Sequence, residues 1–176
     1  MNAIEDTRRW LEAAVIGLNL CPFAKAVHGK GQVLWVHSEA CDAEALLADL
    51  VRELVLLADA DPDAVETTLL VHPNVLADFV DFNDFLDLAD VALEELGLEG
   101  ILQVASFHPQ YQFAGSEPGD IANHTNRSPH PTLHLLREAS IERAVASVPD
   151  AAGIYERNIE TLQRLGHAGW QALFKP

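Results

Sequence analysis

Three short apolar runs, Val33-Leu34-Trp35-Val36, Thr67-Thr68-Leu69-Leu70-Val71 and Ile101 to Phe107, alternate along the chain with two segments of helical period. In the first of these, Leu46, Leu47, Leu50, Val51 and Leu54 form one apolar face that Asp42 can cap and Asp61-Pro62-Asp63 ends. In the second, Phe82, Phe85, Leu86, Ala89, Leu93 and Leu96 line up in the same way, closed by Gly97 and Gly100. Strands that alternate with helices are the mark of right-handed βαβ units. The pattern therefore predicts an α/β fold, with a small, mostly parallel sheet of three or more strands flanked by helices and extra helices at both termini.

The extra helices come from the ends of the chain. Trp10, Leu11, Ala14, Val15 and Leu18 recur at helical spacing, ahead of a break at Cys21-Pro22 and a turn-rich His28-Gly29-Lys30-Gly31. Arg8 and Arg9 before this stretch imitate a secretory leader, but Glu5, Asp6, Glu12 and Asn19 interrupt it, so an amphipathic helix is expected instead. At the other end one helix is expected to begin near Pro131 and another after Asp150, carrying Ile154, Ile159 and Leu162 and ending at Gly166. Trp170, Leu173 and Phe174 are then expected to pack back on the body. With 176 residues and no linker or repeat, the chain reads as a single domain, 1–176, long enough to bury a core without disulfides or metal.

Charge narrows the partners. Asp and Glu outnumber Lys and Arg by 27 to 11, a formal charge of −16, which repels phosphodiester backbones and anionic headgroups. Neither a nucleic-acid nor a membrane partner is expected. The series Asp78, Asp81, Asp84, Asp87 and Asp90 slides around a helix and reads as a solvated face. Cys21 and Cys41 fit neither a CxxC pair nor a zinc spacing, which predicts unbridged thiols in a cytoplasmic protein.

Chemistry concentrates between His108 and Glu138. Each predicted strand is followed or ended by a histidine, His37, His72 and His108, at the carboxyl edge where open parallel sheets bind ligands. His37 and His72 read first as strand-end caps, whereas His108 opens an aperiodic stretch from Pro109 to His130, too long for a mere connector. Four of the eight histidines, His108, His124, His130 and His134, lie there or just beyond.

Several chemistries fit these residues. His108, His124, His134 and Glu138 could hold a divalent transition metal, zinc, iron or manganese, because imidazoles with one carboxylate suit those ions and leave positions open for substrate. His134 and Glu138, with Arg137 beside them, are expected on one helical face. In this reading His108 and His134 are also the catalytic acid/base pair. Alternatively Asn126, Arg127, Ser128 and the free N–H groups of a helix start could bind a phosphate or carboxylate, with Arg137 as a further cation for an anionic substrate. Cys21 is a candidate nucleophile if His108 or Arg127 approaches it. A polar network that simply pins the loop would use the same residues. The reading adopted is a small-molecule enzyme, metal-assisted, against a thiol enzyme or a non-catalytic module for an anionic small molecule. His108, Asn126, Arg127 and His134 are expected to line one pocket with Cys21 at its rim.

Five stretches carry a resemblance: Gly17-Leu18-Asn19-Leu20-Cys21-Pro22-Phe23-Ala24, Asp81-Phe82-Asn83-Asp84-Phe85-Leu86, Phe107-His108-Pro109 to Gly115, Asn126-Arg127-Ser128-Pro129 and His134-Leu135-Leu136-Arg137-Glu138. In these the chain resembles an uncharacterised bacterial family catalogued as the domain of unknown function 1415. That family has no assigned activity, substrate or cofactor, so the resemblance implies none.

Overall fold

In the computed structural model, which describes residues 2–176, the chain folds around one four-stranded sheet. The N-terminal helix α1 (Ala3–Trp10) passes directly into a π-helix over Leu11–Ile16, and a short α2 (Ala24–Gly29) follows. Then come β1 (Val33–His37), α3 (Ala43–Asp59), β2 (Thr67–Val71), α4 (Phe79–Glu95) and β3 (Leu102–Phe107). A 3-10 helix over Ile121–Asn126 lies within the long loop, before β4 (Thr132–Arg137), α5 (Glu138–Ser147) and α6 (Ile154–Ala172).

The α/β class and the flanking helices are as the periodicity predicts, but the sheet is mostly antiparallel. Strand order is β1-β2-β4-β3; β1 and β2 pair in parallel, while β4 pairs antiparallel with both β2 and β3. The correction comes from residues 132–137, where a helix was expected from Pro131 onward. They form a strand because Leu133 and Leu135 alternate with Thr132, His134 and Leu136, which is the two-residue period of a strand inside a sheet. Pro131 sits before that strand, its carbonyl accepting the His72 N–H at 3.0 Å. With β4 inserted between them, β2 and β3 still run in the same direction. The carboxyl ends of β1, β2 and β3 consequently share one edge, and β4 begins there.

Each face of the sheet carries its own core. On one face α3 and α4 bring Leu46, Leu50, Leu54, Phe82 and Phe85 against Leu70, Leu102, Leu133 and Leu135. Asp42 caps α3 through the Ala45 N–H, and Asp78 caps α4 through the Val80 and Asp81 N–H groups. On the opposite face, Trp10, Leu11, Ala14 and Val15 pack with Trp35, Phe107 and Cys21, and with Trp170, Leu173 and Phe174 of the C-terminal tail. The helix that begins α6 breaks at Gly166, as the sequence predicts: its φ of 68° is non-helical and open to glycine at little steric cost, and a second helical stretch beyond it carries Trp170 back onto the body. Among the described residues, no helix is long and apolar enough to cross a membrane.

Candidate functional site

Strand register decides which of the candidate residues can meet. Because His134 lies opposite Ala105 and Thr132 opposite Phe107, the side chains of His134 and Phe107 share the face covered by α1, with ring centroids 6.0 Å apart. His108 is the next residue after Phe107 and points to the other face, where it packs on Phe79 and Phe82. The sheet therefore separates His108 from His134.

Both rings also have local partners. His108 is fully buried; Nε2–H donates to the Leu76 carbonyl at 3.0 Å, and Nδ1 accepts the Gln110 N–H at 3.0 Å. Burial pushes its pKa below the ordinary histidine value. His134 meets the Thr67 hydroxyl at 2.8 Å, and burial pushes it down to about 4. Glu138 begins α5 at the far end of the sheet, where its N–H donates to the Ile101 carbonyl. The expected ligand set of His108, His124, His134 and Glu138 is thus not assembled, nor is the His108–His134 catalytic pair. Among the described residues, no group of three or more His, Cys, Asp or Glu side chains is arranged to hold a metal.

Arg137 is likewise displaced: paired with Leu102 at the far end, it donates to the carbonyls of Ala60 and Val65. Asn126 holds the end of β3, its Nδ2 donating to the Ser106 carbonyl while its own carbonyl accepts the His108 N–H. Cys21 and Cys41 are both free. Cys21 packs against the Trp10 cluster and does not line a cavity rim as expected.

What does converge is a cavity of about 350 Å³ on the α1 face, between α1, the loop after β3 and the C-terminal tail. The loop contributes His124, Arg127 and Ser128, three residues that the sequence singled out. The other walls, Asp6, Arg9 and Trp10 from α1 and Trp170 and Phe174 from the tail, were not foreseen as site residues. One signal pointed to them: Arg8 and Arg9 are adjacent arginines in a strongly acidic chain, beside an aromatic residue on an amphipathic helix.

The loop is built to hold its cavity side in place. Asn123, fully buried, accepts the Phe113 N–H and the Ser116 hydroxyl through Oδ1 and donates to the Glu117 carbonyl through Nδ2. Asp120 caps the 3-10 helix through the Ala122 N–H. Arg127 ties the two limbs of the loop together, with Nε–H donating to the Tyr111 carbonyl at 2.9 Å and Nη2 to the Pro118 carbonyl at 2.7 Å. The Ser128 hydroxyl donates to the His130 carbonyl at 2.6 Å.

Two cations line the cavity, Arg9 and Arg127. Among the described residues, no carboxylate lies within 4 Å of the charged nitrogens of Arg9 or Arg127. Among the described residues, the Arg9 guanidinium donates only to the Phe174 carbonyl, at 2.7 Å. Burial pulls the Arg127 pKa below the ordinary arginine value. Asp6, the one acid in the wall, pairs with His130 at 2.9 Å. His124 packs edge-on against Trp170 at 4.8 Å, and burial, with Arg127 and His167 nearby, pushes it down to about 4, which keeps it neutral at pH 7. The buried Trp10 Nε1 and His124 Nδ1 make no hydrogen bond to the described residues.

The family model described as protein of unknown function, DUF1415, matches residues 2–172. The chain belongs to that family. No match was found among curated proteins or among solved structures. The DUF1415 match takes in every cavity residue except Phe174, so the α1 wall and the loop wall lie within the same family unit.

Proposed function

We propose that this DUF1415 protein recognises an anionic small molecule, a carboxylate or a phosphate, in the cavity between α1, the 109–130 loop and the C-terminal tail. The observation that carries the reading is that Arg9 and Arg127 line one cavity, each fixed by backbone carbonyls and with no carboxylate among the described residues within 4 Å. Two guanidiniums fixed by backbone carbonyls are preorganised donors for an incoming oxyanion. Trp10, Trp170 and Phe174 supply an apolar wall against which the remainder of a ligand can pack. The volume lies at the lower end of the small-molecule range, about 300–1,000 Å³.

A second reading makes the site an enzyme. It rests on His124, an imidazole in the cavity wall that burial keeps neutral and whose buried Nδ1 has no hydrogen-bond partner among the described residues. Neither reading needs Cys21 or a metal.

Thermal shift and calorimetry with a panel of small carboxylates and phosphates test the binding reading. A ligand at a hundred times its Kd raises stability by about 2.7 kcal/mol. Arg127→Gln should weaken that ligand about ten- to hundredfold, the range of one hydrogen bond to a charged group. Because Arg127 also braces the loop, Arg9→Gln is the companion variant, with the same direction expected. Affinity unchanged in both variants would remove the proposal. For the enzyme reading, His124→Phe should keep affinity and abolish turnover of whichever ligand is converted.

A further inference from the structure

Asp6 makes the cavity more selective than two arginines alone would. Asp6 and Arg9 stand close to one turn apart on α1 and both line the cavity, yet they are not ion-paired. Arg9 reaches the Phe174 carbonyl instead, and Asp6 Oδ2 takes the His130 ring at 2.9 Å. Asp6 Oδ1 makes no hydrogen bond to the described residues, and the side chain is 32% exposed, so the oxygen is within reach of a ligand. A bare oxyanion drawn in by Arg9 and Arg127 would meet this carboxylate as a like charge. An oxyanion that also carries a hydrogen-bond donor would turn the same carboxylate into a partner.

Resting on the anion-binding reading above, we propose that the site selects a hydroxy or amino acid with a ring-bearing side chain over a simple carboxylate. Arg9 and Arg127 receive the carboxylate, Asp6 receives the hydroxyl or ammonium, and Trp10, Trp170 and Phe174 give the ring an apolar wall. Hydroxyl and ammonium are the two sources of the donor, and they differ in charge. An ammonium gains Coulomb attraction to Asp6 as well as a hydrogen bond, and a hydroxyl gains the hydrogen bond alone.

Three probes share one skeleton and differ only at the carbon next to the carboxylate: 3-phenylpropionate, 3-phenyllactate and phenylalanine. Calorimetry on the full chain should find phenyllactate or phenylalanine binding about ten- to hundredfold tighter than phenylpropionate. Gain by phenyllactate alone identifies a hydroxy-acid site, and gain by phenylalanine an amino-acid site. Asp6→Ala should erase the gain while phenylpropionate still binds, which doubles as the check that the variant folds. If Asp6→Ala folds poorly, Asp6→Asn keeps the side-chain shape and should still shrink the gain. Equal binding of all three probes, or a gain that survives both variants, overturns the selection and leaves the anion site standing. Phenylpropionate binding that ignores Arg9→Gln and Arg127→Gln, or no binding by any of the three, removes the carboxylate site and this inference with it.

Discussion

Asn123 is the residue on which the loop wall of the cavity depends. Its amide oxygen accepts twice and its amide nitrogen donates once, all within 113–123, and the side chain is inaccessible to water. Removing such a group strands its partners, at a cost of about 1–3 kcal/mol for each buried group left unpaired. Asn123→Ala should therefore destabilise the protein by at least about 1–3 kcal/mol in chemical denaturation and also weaken anion binding, because Arg127 bridges the same loop. Loss of stability with full affinity would show that Arg127 holds its place without this network. At this scale the sequence marks His124, Arg127 and Ser128 as site residues, because polar side chains concentrated in a long aperiodic loop need a reason to be there. It misplaces His108, His134, Glu138 and Arg137, whose positions depend on which face and which end of a sheet they occupy. Asp6 and Arg9 are not marked at all. They lie far along the chain from the loop they meet, and the one local signal, the Arg8-Arg9 pair, does not say which segment it meets.

At the scale of elements, the π-helix over Leu11–Ile16 shows how tightly one glycine can be constrained. The Gly17 N–H donates to Glu12 and the Leu20 N–H to Val15, five residues back in each case, at 3.0 and 2.9 Å. A Cβ placed on Gly17 would run into the Ala13 carbonyl oxygen, a backbone atom that cannot swing aside. Gly29, at the end of α2, has nothing within 4 Å of its Cβ position. Gly17→Ala should thus cost about 1–3 kcal/mol by overpacking. Gly29→Ala should be neutral or stabilising by up to about 1 kcal/mol, since alanine favours the helix. Equal melting temperatures for the two variants would count against the π-helical turn. The regular elements are the part of the fold most legible in the sequence: α3, α4 and the first three strands follow from apolar period, from the cap at Asp42 and from Gly97 and Gly100 after α4, whereas Asp78, read as part of a solvated face, caps α4. β4 is not legible. Six residues reading Thr-Leu-His-Leu-Leu-Arg after a proline satisfy either period, and only pairing with β2 and β3 on both sides decides for the strand.

For the whole molecule, pH sets two effects against each other. His72 is fully buried, stacked on Phe82 with its Nε2 unpartnered among the described residues, and burial pushes its pKa down to about 4. His124 and His134 are pushed down to about 4 as well. Their pKa values in the unfolded chain are about 6.5, so between pH 6.5 and 4 the unfolded state binds more protons than the native state. Stability from these groups is complete above pH 6.5 and is lost as pH falls toward 4, by up to about 1.4 kcal/mol per pH unit for the fully buried His72. The excess of 16 acids works the other way, because uptake of protons relieves self-repulsion and favours the compact state. Salt separates the two. In about 1 M salt the Debye length falls to about 3 Å, which screens surface repulsion and leaves the buried imidazoles almost untouched. Melting temperature at neutral pH should rise with salt, and its fall between pH 6.5 and 4.5 should be steeper in high salt than in low. His72→Phe keeps an aromatic ring against Phe82 and removes one titrating group, so the high-salt slope should flatten by about one proton's worth. A slope unchanged in His72→Phe would show that the acid sensitivity resides elsewhere, and a neutral-pH melting temperature indifferent to salt would show that the surface acids do not strain the fold.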